Sequence, residues 1–207
     1  VAYLGNPSTP TPGATPTNGY FTLDAAGKAS QHFVCVGLNP CGDGGILPDL
    51  TVGAAGGFER ASAGAVDHYY DFKTATGQHT MIALIDNASS FGYFVATKQA
   101  SGTLPAVGEV TRLRSFTLDA SGSASSIQDH DYTVTAVDAT TNAFTRERDD
   151  GRLETFTVDA PRAGYSTRAA GTNVNPIVSL RLPGSAASVF TSLAADQNFL
   201  GIGIQHP

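Results

Sequence analysis

Charged side chains are scarce in this sequence. Asp, Glu, Lys and Arg make up 14% of its 207 residues, whereas ordinary domains carry about 25%. Exposed helix faces need Glu, Lys and Arg, and this chain uses Thr, Ser, Val, Tyr and Phe in their place, which suit strands. Its 23 glycines suit tight turns. The composition therefore predicts an all-β protein.

Neither a basic run nor a long apolar run is present. The 12 basic and 18 acidic residues give a net charge of −6 and are spread along the chain, so we expect no nucleic-acid partner. The longest apolar stretches, residues 81–85 and 199–204, are far shorter than the roughly 20 residues that span a bilayer as a helix. We therefore expect no membrane span.

No motif of a known catalytic site is present. The sequence lacks G-x-S-x-G, H-E-x-x-H, a P-loop, a G-x-G-x-x-G that opens a helix, and an EF-hand loop. Glycosidases use a pair of carboxyl groups, and the spacing of Glu59, Glu109, Glu147 and Glu154 assigns no such pair. We predict no catalytic residue and keep a secreted hydrolase, acting on polysaccharide or peptide, as an alternative function.

The chain has only two cysteines, Cys35 and Cys41, in the spacing C-x5-C. Gly, Asn and Pro between them favour turns, so the two sulfurs can meet across a short loop, and we predict a disulfide. The alternatives are zinc, which needs two further ligands although only His32 is nearby, and a redox pair, which usually has the spacing C-x-x-C. A disulfide indicates an oxidising compartment, so we expect an extracytoplasmic location: periplasm, cell surface or outside the cell.

Residues 1–18 are rich in proline and threonine and predict an N-terminal tether. Four prolines lie among Ser and Thr in residues 6–18 (NPSTPTPGATPTN), a composition that stays extended because it has little apolar surface to bury. Such a tether commonly holds a surface domain away from a membrane or wall, as in a lipoprotein; an ordinary disordered tail is the alternative. Since the sequence starts at Val1 without Met or a signal peptide, we expect a mature or trimmed form.

An internal repeat is the strongest pattern in the chain. Residues 21–30 (FTLDAAGKAS) recur as residues 116–125 (FTLDASGSAS), identical at eight of ten positions. In each segment Asp opens a tight turn and Gly closes it, which predicts a β-hairpin. Weaker matches follow in the same order along the chain. We predict two repeats, residues 19–100 and 110–207.

We predict an antiparallel β-barrel or sandwich of about 10–13 strands, because many segments alternate polar and apolar residues. A single β domain over residues 19–207 is favoured, and two separate small β domains are the alternative. At most one short helix is expected, in residues 184–197, where the apolar spacing suits helical turns capped by Ser185. The repeats differ most in this loop and in the disulfide loop, so we expect binding sites there.

Five aromatic and histidine residues are candidates for ligand binding. His68 and His79 fall on neighbouring predicted strands, where they could share a metal ion or a haem, although a hydrogen-bonded surface role is the simpler interpretation. Tyr69, Tyr70 and Tyr93 lie in aromatic strands, where they could form a platform for a sugar, a peptide or an apolar ligand. Packing in the core is the alternative for them. No metal ligand or cofactor is assigned.

These patterns favour a non-enzymatic binding or adhesion protein, secreted or held in the cell envelope, with the general features of a bacterial surface protein. Its expected partner is a surface glycan or a protein. The alternatives are the secreted hydrolase and a metal or haem carrier.

Overall fold

The computed structural model of this chain contains strands and turns. It describes residues 2–5, 17–23, 28–36, 41–43, 51–53, 57–62, 65–73, 77–87, 90–98, 100–118, 124–171, 176–182, 184–192 and 198–206. Within these ranges there are seventeen β-strands and no α-helix, which confirms the predicted all-β class. The same ranges contain no candidate for a membrane-crossing helix.

The first half of the chain forms one antiparallel sheet. Its strands are β1 (Ala2–Gly5), β2 (Thr17–Leu23), β3 (Ala29–Val36), β4 (Gly42–Asp43), β5 (Thr51–Val52), β6 (Phe58–Ser62), β7 (Ala65–Lys73), β8 (His79–Asn87) and β9 (Ser90–Thr97), in the order β4-β3-β2-β1-β9-β8-β7-β6-β5. Strand β1 pairs with both β2 and β9. Part of the predicted tether is therefore a central strand of the sheet, and residues 6–16 lie outside the described residues.

The second half of the chain forms a closed antiparallel barrel. Its strands are β10 (Val110–Leu118), β11 (Ala124–Asp138), β12 (Ala143–Arg148), β13 (Leu153–Val158), β14 (Tyr165–Arg168), β15 (Ile177–Arg181), β16 (Ala187–Ser192) and β17 (Asn198–His206). Neighbours in sequence are neighbours in the barrel, and β17 closes it by pairing with β10. Closure leaves no strand edge unpaired. The total exceeds the predicted 10–13 strands; β1, which lies in the predicted tether, and β16, which lies where a helix was expected, were not predicted as strands.

Aromatic and aliphatic side chains fill the barrel interior. The buried members of this cluster are Leu113, Tyr132, Phe156, Ile177 and Phe190. Strand β17 has glycine where it passes the ring of Phe190: a Cβ on Gly203 would lie 2.9 Å from that ring, and a Cβ on Gly201 would lie 2.9 Å from Leu113. The two glycines therefore leave the space that the larger side chains occupy.

A buried group of charges lies beside this cluster. The carboxylate of Glu154 accepts hydrogen bonds from Arg146, at 3.1 and 2.8 Å, and from Arg168. The Arg146 guanidinium also packs against three aromatic rings, the nearest being Tyr132 at 3.9 Å from the ring centroid. Buried ions need this degree of pairing to offset the loss of water. The group orients β12, β13 and β14 around one carboxylate.

The sheet covers one side of the barrel. Strand β15 is buried on both faces: Ile177 belongs to the barrel interior, whereas Val178 and Leu180 point outward and pack with Val95 of the sheet. Ile82 of β8 packs against the same cluster. The sheet and the barrel therefore share a hydrophobic core.

The prediction of a helix in residues 184–197 is wrong for residues 184–192, the part of this segment that the structure describes. Ala187–Ser192 form strand β16, which pairs with β15 and β17. Its side chains alternate, with Val189 in the shared core and Phe190 in the barrel interior. Ser185 stabilises the preceding turn through a 2.9 Å hydrogen bond to the Leu182 carbonyl and caps no helix. The segment forms a strand and not a helix because β15 and β17 would otherwise each have a row of backbone N–H and C=O groups without hydrogen-bond partners.

Two local geometries recur in the sheet and the barrel. The hairpins β2–β3 and β10–β11 shift register at the same step, between the Thr and the Leu of the repeated FTLDA segment. In addition, Arg60 lies opposite buried Asp67 and pairs with it, as Arg146 does with Glu154. These correspondences are local, and the duplication of residues 19–100 as 110–207 stays a prediction.

Candidate functional site

A cleft lies where the loop between β13 and β14 meets the sheet. Asp159 begins this loop in the left-handed conformation, with φ of 58°. Its Oδ1 accepts hydrogen bonds from the backbone N–H groups of Gly102 (2.7 Å) and Gly164 (2.9 Å), and the loop backbone is closed by a 3.2 Å hydrogen bond from Tyr165 N to Arg162 O. These bonds hold Arg162 at the surface of the barrel.

Arg162 reaches across to the sheet. Its Nη2 lies 2.8 Å from Cys35 Sγ and also contacts Cys41 Sγ. The centre of its guanidinium lies 4.8 Å from the Tyr20 ring centroid and 5.9 Å from that of Tyr165, distances at which a cation is attracted to an aromatic face. One side chain of the barrel therefore contacts both the disulfide and an aromatic ring of the sheet.

Tyr165 fixes the junction beside Arg162. Its side chain is fully buried, and its hydroxyl donates a 2.7 Å hydrogen bond to the carbonyl oxygen of Gly19 in β2. Its ring belongs to the hydrophobic core shared by the sheet and the barrel. The relative position of the two walls of the cleft is therefore set by packing and by a direct hydrogen bond.

The sheet side of the cleft consists of an aromatic pair and a disulfide. Tyr20 lies opposite Phe33 in the β2–β3 register, and their rings stack with centroids 4.7 Å apart. The predicted disulfide between Cys35 and Cys41 is confirmed, with an S–S distance of 2.06 Å. It ties the end of β3 to the start of β4, next to the stacked rings.

The resulting space, which we call the junction cleft, has a volume of about 380 Å³ and is lined by Tyr20, Phe33, Cys41 and Arg162. The Nη1 atom of Arg162 is buried and has no hydrogen-bond partner among the described residues. The cleft thus combines a positively charged donor with two aromatic rings and uncharged sulfur, which is suited to a ring-shaped ligand that bears an acidic group.

The structure separates His68 and His79, for which a shared metal ion was one of two interpretations. His79 lies opposite Lys73, five positions along β7 from His68, which corresponds to about 16 Å along a strand. Each histidine has its own carboxylate neighbour: Nδ1 of His68 lies 3.6 Å from Glu59, and Nδ1 of His79 lies 2.6 Å from Asp71. No cluster of three or more metal-ligating side chains is found in the ranges that the structure describes.

The three predicted tyrosines lie in different surroundings. Tyr69 is buried, and this burial raises its pKa, an effect that the neighbouring Arg60 partly opposes. Tyr70 is 42% exposed on the opposite face of β7, near the exposed Phe72. Tyr93 lies in β9, and its side chain is outside the described residues. A binding role for Tyr69, Tyr70, Tyr93, His68 or His79 stays a prediction.

Sequence reasoning did not select Tyr20, Phe33 or Arg162. The available signal was indirect: binding was expected near the disulfide loop, and Cys41 does line the junction cleft. Arg162 lies 121 residues from Cys41 along the chain, so no local spacing could connect them.

Comparisons with known proteins identify no family for this chain. No known protein family matches the sequence, and no curated protein matches it. One similar solved structure is a protein of unknown function from the DUF3598 family of Nostoc punctiforme, with 9% identity and a TM-score of 0.30 over 99% of this chain and 94% of that one. A likeness this weak supports no statement about the function of this chain.

Proposed function

We propose that this protein is a non-enzymatic binding protein, secreted or displayed in the cell envelope, whose junction cleft holds an acidic sugar of a surface glycan. The observation that supports this most directly is the buried Nη1 of Arg162, which lacks a hydrogen-bond partner among the described residues and belongs to a side chain that lines an aromatic cleft.

The unpartnered nitrogen gives the cleft a preference for anions. A buried donor without an acceptor costs about 1–3 kcal/mol, and more when it is charged, so such groups usually have a partner. The second terminal nitrogen, Nη2, faces Cys35 and Cys41, whose sulfurs are weak acceptors without charge. A carboxylate in the cleft would neutralise the guanidinium of Arg162 through a charge-assisted hydrogen bond.

The aromatic pair suits the ring of a sugar. Tyr20 and Phe33 are each half-buried, so their rings provide an apolar surface at the edge of the fold, and Tyr20 adds a polar hydroxyl. The volume of about 380 Å³ lies within the range of about 300–1,000 Å³ that is usual for small-molecule sites. The cleft is open, which allows one sugar to enter while the rest of the glycan stays outside.

The disulfide beside the cleft indicates in which cellular compartment the proposed site is stable. Cys41 lines the cleft, and its bond to Cys35 holds the sheet side in place. Disulfides persist in oxidising surroundings and are rare in the cytosol. The presence of a disulfide in the wall of the junction cleft therefore supports a location outside the cytoplasm.

Calorimetry with two oligosaccharides of equal length tests the proposal. We expect an oligogalacturonide, which carries a carboxylate on every sugar, to bind, and a neutral cello-oligosaccharide to bind weakly or not at all. Arg162→Gln should weaken binding by about tenfold or more, as expected for loss of a charge-assisted hydrogen bond. Arg162→Lys should retain part of the affinity, and Phe33→Ala should lower it.

Arg112→Gln is the matched control, because Arg112 is 60% exposed and pairs with Asp129 on the barrel, away from the cleft. It should bind as the wild type does, and circular dichroism checks that each variant is folded. Equal binding of the neutral oligosaccharide, or wild-type affinity in Arg162→Gln, would refute the proposal. If Tyr70→Ala lost binding and Phe33→Ala did not, the binding site would lie on β7 instead of in the junction cleft. Shortened oligosaccharides in the reaction mixture would favour the alternative function, a secreted hydrolase.

A further inference from the structure

A second cavity lies on the other side of the Asp159 loop. It has a volume of about 470 Å³ and is lined by residues 97, 98 and 100–103, at the end of β9 and after it, and by residues 180–182 and 184–186, which lie near the junction of β15 and β16. Gly164, at the end of the loop that carries Arg162, forms part of its wall. This cavity includes residues 184–186 of the loop in which a binding site was expected from the sequence.

Two cations and no carboxylate are found among the described residues that line this cavity. Lys98 is exposed and forms no ion pair with any described residue, while Arg181 uses Nη2 to donate a 2.9 Å hydrogen bond to the neutral Gln205. The carboxylate of Asp159 does not line the cavity, and its Oδ1 accepts hydrogen bonds from the N–H groups of Gly102 and Gly164, two residues of the wall. The cavity therefore has an excess of positive charge.

The rest of the wall combines hydroxyls with apolar groups. The hydroxyls of Ser101 and Thr103 form no hydrogen bond with another described residue, and Leu182, Ala100 and Ala186 contribute methyl groups. An inorganic ion needs only the polar part of such a wall. A ligand that uses the whole wall must carry an anionic group at one end and a short apolar part at the other.

We infer that this cavity binds a small organic carboxylate with a short aliphatic chain. The carboxylate lies between Lys98 and Arg181, where both side chains compensate its charge at close range. The chain lies against Leu182 and the two alanines, where its transfer from water to an apolar surface is favourable. This site is separate from the junction cleft and does not depend on the function proposed for it.

Titration of the full chain with hexanoate, followed by calorimetry and by backbone amide shifts in NMR, tests this inference. We expect saturable binding, with shifts at Ser101, Gly102 and Gly164. The double variant Lys98→Gln and Arg181→Gln should weaken binding by about tenfold or more, since it removes both charge-assisted contacts. Arg162→Gln should bind hexanoate as the wild type does.

Two further probes distinguish the ligand class. Hexanamide, which has the same chain without the charge, should bind much more weakly than hexanoate, and inorganic phosphate should not displace hexanoate at equal concentration. Absence of saturable binding, unchanged affinity in the double variant, equal affinity for hexanamide, or displacement by phosphate would each overturn the inference. Loss of hexanoate binding in Arg162→Gln would place the carboxylate in the junction cleft and overturn it as well.

Discussion

Replacement of Glu154 by Gln tests whether the buried charges in the barrel act as one unit. Glu154 is 5% exposed, and Arg146 and Arg168 are 4% and 7% exposed. The substitution keeps the size of the side chain and removes its charge. Both guanidiniums then stay inside the barrel without the carboxylate that accepts their hydrogen bonds.

The expected loss of stability is about 3–5 kcal/mol, the usual effect of removing one partner from a buried ion pair. This is a large part of the roughly 5–15 kcal/mol by which folded domains are stable. If the cost comes from the unpaired charges, then replacing Arg146, Glu154 and Arg168 together by Met should restore most of the stability, because well-packed apolar groups can substitute for buried ion pairs.

Urea unfolding followed by circular dichroism measures both changes. Asp129→Asn is the control: it removes a carboxylate from an exposed pair with Arg114, and exposed pairs contribute little, so its unfolding midpoint should match the wild type. A Glu154→Gln variant whose free energy of unfolding lies within about 1 kcal/mol of the wild-type value would show that the three buried charges do not act as one unit. A triple variant less stable than the single one would show that the arginines are needed for more than charge balance.

Three other predictions follow from buried or crowded groups. Burial raises the pKa values of Tyr132 and Tyr69 above their ordinary value of about 10. Above pH ~10 the folded protein therefore keeps phenol protons that the unfolded chain has lost, so the free energy of unfolding should fall as the pH rises. Absorbance at 295 nm should show that these two tyrosines ionise at higher pH than the exposed ones. Gly203→Ala should lower the free energy of unfolding, measured by urea unfolding, by about 1–3 kcal/mol. The Cβ of the new alanine would lie too close to the ring of Phe190. Asp159→Ala frees two backbone N–H groups and should weaken oligogalacturonide binding in calorimetry.

Local patterns in the sequence were sufficient for the strands that have one wet and one packed face. Strand β13 alternates strictly, with Glu154, Phe156 and Val158 buried and the residues between them exposed. The Phe-Thr-Leu part of each repeated segment ends a strand, β2 or β10, which pairs with the strand that follows it, β3 or β11. In both cases a period of two and a tight-turn composition act within a few residues, so the neighbours in space are also neighbours in sequence.

The same patterns failed where a segment has two packed faces or where its partner is distant. Strand β16 has apolar side chains on both faces, because the barrel interior lies on one side and the sheet on the other, and a short apolar run of this kind resembles a helix segment. Alternation places Tyr69 and Tyr70 on opposite faces of β7, but burial of Tyr69 depends on what packs against that face.

The amino-acid sequence was sufficient to predict that the chain is made of antiparallel strands and that Cys35 and Cys41 form a disulfide. These properties depend on composition and on contacts between residues close in the chain. Docking of the sheet on the barrel decided the rest. It brings Arg162 to a disulfide and to Tyr20, which lie more than a hundred residues earlier, and local periodicity holds no information about such contacts because they depend on the packing of finished elements.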